Sequence, residues 1–224
     1  MKNTPFMKAM TLLAIALLSV SLPACSASSQ GLSSRNFDTP TRAGSSKSQP
    51  TVGSAPTLKL DLSVDAAYAA IPHRRTAMDF AASNMPDQDK RFLEVAFHLV
   101  DQAIRLRVSA YQKFLKGEPG DSQIADFDTL IDYLQNAEAP AGLTNYQARL
   151  AQALSEQRAF FQEWQTGGQQ YQYGSPQTVG TSPRVQRASS ALREAYGILM
   201  ELYPNENDSN KAAFFDYHCA LDFI

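Results

Sequence analysis

The chain has 224 residues, with 20 Lys and Arg against 22 Asp and Glu and a formal net charge of -2. That balance argues against nucleic acid as a partner, because phosphates demand clustered Lys and Arg. The length supports one hydrophobic core of ordinary size.

At the start of the chain, Lys2 and Lys8 form a short positive region, and Ala9 to Leu22 run almost wholly apolar. Small residues then precede Cys25. This is the three-part layout of a secretory signal peptide. The apolar run falls short of the roughly 20 residues that a membrane-spanning helix needs. Leu22-Pro23-Ala24-Cys25 resembles the lipobox of bacterial lipoproteins, and the resemblance covers residues 1–25 alone. It implies that residues 1–24 are removed and that Cys25 carries a lipid anchoring the protein to a membrane of the cell envelope, facing the periplasm. Ser26 stands where many inner-membrane lipoproteins have Asp, so the outer membrane is the expected site. Removal of Lys2 and Lys8 leaves 18 Lys and Arg against 22 acids, a net charge of -4. Cys219 is then a single thiol in an oxidising compartment and is expected to be buried.

From Ser26 to Pro56 the composition shifts to Ser, Thr, Gly, Pro and Gln, with Leu32, Phe37 and Val52 among its few large apolar residues. Such a segment cannot bury enough surface to offset its ordering entropy, and it reads as a tether. Its root-mean-square span is about 30 Å, from 5–6 Å times the square root of its length. Residues 57–224 read as a single all-α domain.

Ser63 caps a first helical segment with Ala66, Ala67 and Tyr68, and Pro72 interrupts it. A restart is expected from Pro72 to about Ser83, since proline suits a first helical turn. The longest helix runs from about Asp87 to Lys116. At about 100° per residue, two neighbouring apolar stripes, one through Phe92, Leu99 and Leu106 and one through Phe97, Ile104 and Val108, cover most of it. Glu94, His98, Asp101, Gln102, Arg105, Ser109, Gln112 and Lys116 form a narrow polar edge. So wide an apolar arc makes this the central helix, and Gly117-Glu118-Pro119-Gly120 stops it. Asp121 or Ser122 caps a shorter helix, and Thr144 caps another that ends at Gly167-Gly168. A polar loop over residues 169–181 carries Tyr171 and Tyr173 and is expected to be mobile, with partner contact as a second reading. Ser182-Pro183 opens an amphipathic helix. Ser209 caps the last, with Phe214, Phe215, Cys219, Leu221 and Phe223. No sheet is expected. The class is an irregular all-α bundle of about five to seven helices.

No CxxCH, HExxH or GxSxG motif is present, and Glu94 and His98 are four apart rather than the three of helical di-iron sites. No cofactor or metal is therefore expected. The candidate ligand or ion-pair cluster consists of His73, Arg74, Arg75, Arg107 and Asp216. His73-Arg74-Arg75-Thr76 follows Pro72, with His73 toward the core. Arg75 is expected to reach Asp79, and Arg74 an acid on another helix. The sharper reading is an anion site. Arg107 lies on the apolar arc of the central helix, where a guanidinium needs acceptors. Asp216 is its expected partner, with Asp79, Asp128 and Asp222 as alternatives. His98 is expected to be solvated, and His218 sits beside the thiol.

These features point to a non-enzymatic, lipid-anchored helical domain that binds another envelope component. One rival is a small-ligand or haem-binding bundle built on His73, Arg107 and His218. The other is an enzyme of unfamiliar type with His73 as base.

Overall fold

The computed structural model describes residues 55–71, 73–167 and 176–223. The signal segment with Cys25, nearly all of the expected tether, and Tyr171 and Tyr173 lie outside the described residues. Seven α-helices and no strand occur among those described. They are α1 (Val64–Ala70), α2 (Asp87–Leu115), α3 (Asp121–Asn136), α4 (Thr144–Gly167), α5 (Pro176–Gly180), α6 (Pro183–Leu202) and α7 (Asp208–Leu221). The expected all-α class holds. No helix among the described residues is long and apolar enough to cross a membrane.

Local chemistry sets most boundaries. Ser63 accepts the Ala66 amide and starts α1, and Ser182 accepts the Arg184 amide ahead of Pro183; each satisfies a donor that the first helical turn leaves orphaned. α2 ends with Gly117 at φ 71°, and the Gly117 and Glu118 amides return to the carbonyls of Phe114 and Lys113. That paired closure needs a left-handed residue, which glycine provides. Gly120 is fixed by packing instead: a Cβ there would collide with the Phe114 ring. α7 starts one turn's edge earlier than expected, because the Asn207 side chain, not Ser209, accepts the Asn210 amide. The second half of the expected 169–181 loop contains the short α5.

α2 is the hub, touching α1, α3, α4 and α7, while α4 runs along α3 and α6. Sixteen of its residues are buried, as its apolar arc requires. α4 and α6 are antiparallel, since Glu156 and Glu163 meet Arg184 while Arg149 meets Glu194. Around α2 the Phe97 ring stacks on Tyr217 of α7 at 4.5 Å between centroids. Farther along, Phe114, Phe127, Phe160, Phe161, Trp164 and Phe223 form a continuous aromatic cluster.

One expected element is absent. Residues 73–83 are not helical. Ile71, the residue before Pro72, is extended at φ -114° and ψ 138°, as crowding by the proline ring favours. The residues beyond find tertiary partners for their backbone groups, so the Asp79 amide donates to Asn210 Oδ1 and the Asp79 carbonyl accepts from Asn210 Nδ2. Fixed partners outside the segment outweigh its intrinsic helix propensity.

Candidate functional site

The residues before α2 form an arm, residues 55–71 and 73–83, that folds back over the central helix. Its first part alternates, with Leu58 buried, Leu60 and Leu62 partly buried, and Lys59 and Asp61 exposed. Period-two alternation is the mark of an extended chain with one face inward. This stretch lies on the edge of α2 that the sequence marks as polar. His98 Nε2 donates to the Pro56 carbonyl, Gln102 Oε1 accepts the Leu58 amide, and Arg105 donates to the carbonyls of Leu60 and Leu62 at 3.0 and 2.6 Å. His98 is thus a half-buried donor to the arm rather than a solvated side chain.

Two carboxylates gather the basic residues that follow Pro72. Asp216 of α7 is buried and accepts Arg74 Nε at 3.3 Å and the Thr76 hydroxyl. His73 Nε2 stands 3.6 Å from its other oxygen, too far for a hydrogen bond, so that attraction depends on a protonated imidazole. Asp101 of α2 is also buried; it accepts Arg75 Nη2 at 2.8 Å and the Tyr68 hydroxyl at 3.3 Å. Arg75 also reaches Asp65 at 3.6 Å and lies over the Tyr68 ring. Burial pushes the Asp101 carboxyl up by more than Arg75 and Tyr68 pull it down. Burial and the adjacent Asp101 push Tyr217 up to about 12 and Tyr68 further still. Arg75, although partly desolvated, is held charged by Asp101.

The structure therefore joins three of the five candidate residues in one place and separates the others. His73, Arg74 and Asp216 meet. Arg75 sits alongside on Asp101, so its expected contact with Asp79 is replaced by a pair across to α2. His73 is only partly buried, with a side chain 23% exposed. Arg107 is buried as expected, but its partner is not Asp216. It donates from Nη2 to the Ala220 carbonyl at 2.8 Å, lies over the Phe223 ring, and is influenced by Asp222, one of the alternatives. Asp216 lies one turn before Ala220 on α7, and the arm already fills it. Complete burial lowers the Arg107 guanidinium to about 10.

His218 occupies the core among the rings of Phe97, Tyr146 and Tyr196. Its Nδ1–H donates to the Phe214 carbonyl, which leaves Nε2 as an unpartnered lone pair. Complete burial lowers this imidazole to about 4, so it is neutral at pH 7. Cys219 is half-buried rather than fully buried. Among the described residues no group of three or more His, Cys, Asp or Glu is placed to hold a metal.

Chemically, the seam around residues 73–76 works as a clasp. Its cations face carboxylates, and the Thr76 hydroxyl is engaged by Asp216 rather than by the imidazole. The sequence reading overlooked Asp101, Gln102, Arg105, Tyr68 and Tyr217 as parts of it. A signal existed: a polar stripe crossing an otherwise apolar hub helix needs a cover, and Leu58-Lys59-Leu60-Asp61-Leu62 has the alternation of one. No family model, curated protein or solved structure matches this chain.

Proposed function

We propose that the protein is a non-enzymatic, lipid-anchored helical domain of a bacterial cell envelope that binds a protein partner there. Cys25 carries the lipid in this reading, residues 26–56 are the tether, and the domain faces the periplasm, at the outer membrane. The observation that supports it best is the way the chain enters the domain. From Ala55 onward it is clamped along α2 by His98, Gln102 and Arg105 and then fastened to α7 through Asp216. A pull arriving through the tether meets these fastenings before it reaches the bundle, which suits a domain that works while anchored. The enzyme reading loses support because His73 faces a carboxylate that Arg74 and Thr76 already occupy. The haem or small-ligand reading loses support because His73, Arg107 and His218 occupy three separate settings.

Photo-crosslinking residues at Leu115 and Leu202, the exposed large apolar side chains among the described residues, test the partner in intact cells. Adducts with an envelope protein are expected. Adducts confined to cytosolic proteins would contradict the reading.

A further inference from the structure

We propose that the arm, residues 55–71 and 73–83, is a releasable strap that lifts from α2 and α7 as a unit while the bundle beneath stays folded. Its use as spare tether length rests on the anchor reading above; its release does not.

The nature of the attachments carries the inference. The extended parts of the arm have no ladder or long helix of their own, only local turns such as Leu60 N–H to Leu58 O and Ser83 N–H to Phe80 O. They are held by single side chains of the bundle: His98, Gln102 and Arg105 on Pro56, Leu58, Leu60 and Leu62, Asp101 on Arg75, Asp216 on Arg74 and Thr76, Asn210 on both backbone polar groups of Asp79, and Glu206 on the Ser83 hydroxyl. Water can take over every one of these bonds. The strip of α2 that the arm covers carries His98, Asp101, Gln102 and Arg105, so lifting uncovers polar groups there. The apolar surface lost is that of Ala55, Leu58, Ala67 and Tyr68, with Leu60, Leu62, Val64, Ile71, Met78 and Phe80 only partly buried beside them. A segment fixed by scattered side-chain bonds, with most of its apolar residues only partly buried, opens at a lower free energy than the core.

The bundle has its own fastenings. Phe97 stacks on Tyr217, the aromatic cluster spans α2, α3 and α4, and Glu156 and Glu163 tie α4 to α6. The arm also lies first in line, between the tether and the hub. The 29 residues from Ala55 to Ser83, once extended, would add up to about 100 Å of reach at 3.3–3.6 Å per residue.

Hydrogen exchange of the mature full chain, read by mass spectrometry of peptides at low denaturant, tests this. Arm amides should exchange at least tenfold faster than those of α4 and α6. Arg105→Ala should speed the arm about tenfold again and leave α4 and α6 unchanged. Ser83→Ala, which frees the other end of the arm, should act the same way and serves where Arg105→Ala does not fold. Exchange of arm and bundle in one common step, or equal acceleration of both in either variant, would overturn the proposal. The Cys25→Ser chain separates the two ideas. If it leaves the membrane fraction yet shows joint exchange of arm and bundle, the strap fails alone. If the parent chain proves unlipidated while the arm exchanges first, the anchor reading fails alone.

Discussion

Arg107, buried on the central helix, donates to the carbonyl of Ala220, 113 residues further along the chain. That carbonyl belongs to the last turn of α7, where orphaned C=O groups and the negative end of the helix dipole meet. Gln157 of α4 closes the neighbouring Leu221 carbonyl at 2.7 Å. The guanidinium is thus compensated by a helix end, the Phe223 ring and the field of Asp222, not by a direct ion pair with Asp216.

Arg107→Met keeps the volume and removes one charge-assisted hydrogen bond. It should cost about 1.5–3 kcal/mol in denaturant melts. Double-mutant cycles locate its partners. The coupling of Arg107→Met with Asp216→Asn should stay below about 0.5 kcal/mol, and that with Asp222→Asn should exceed it. The reverse order would restore Asp216 as its partner.

Arg75 and Asp101 form the better-shielded half of the clasp, yet Arg75 remains partly exposed. Arg75→Ala should weaken the hold of the arm on α2 by about 1–3 kcal/mol, less than the 3–5 kcal/mol of breaking a fully buried pair. Hydrogen exchange of the arm peptides in Arg75→Ala, Asp101→Asn and the double variant measures this. Fully additive losses would mean that the contact contributes nothing of its own.

His218 gives the fold an acid sensitivity of definite sign. Its folded value is lowered to about 4 from an unfolded 6.5, so between those values the unfolded chain binds the extra proton. The neutral imidazole's contribution is complete above pH 6.5 and is lost as pH falls toward 4. The total is about 3 kcal/mol, at 1.36 kcal/mol per unit. The stability of His218→Leu should be flatter than that of the parent across this window. Parallel pH profiles of parent and variant would show that His218 is not the group responsible.

The helical bundle was legible because its signals are local or periodic. The two stripes of α2 foretell a hub, Ser63 and Ser182-Pro183 mark two starts, and Gly117 marks a stop. The arm was less legible. A helix after Pro72 looked reasonable from residues 73–83 alone, since the partners that hold them extended, Asn210, Glu206 and Asp216, lie more than 120 positions away. The inner face of α7 was also hard to read. Its buried residues lie on one arc about 200° wide at 100° per residue, but Asn210, Asp216 and His218 stand there among Phe214, Tyr217 and Leu221, so polar side chains break the apolar signal of the inner face. Arg107 stood out from burial alone, but a backbone carbonyl leaves no trace in the sequence to name it as partner.

α7 closes the bundle against α2 and receives the arm, so it cannot be removed without loss. A chain ending at Pro204 should lose its cooperative thermal transition, as measured by circular dichroism. A chain beginning at Thr57, without the expected tether, should keep it. A cooperative melt of the chain ending at Pro204 would remove α7 from the core.

The mass of the N-terminal peptide from protein purified out of the membrane fraction bears most directly on the central claim. The account predicts a first residue of Cys25 carrying a covalent lipid, with residues 1–24 absent. An unmodified peptide that begins at Met1, or one that contains an unlipidated Cys25, would contradict it.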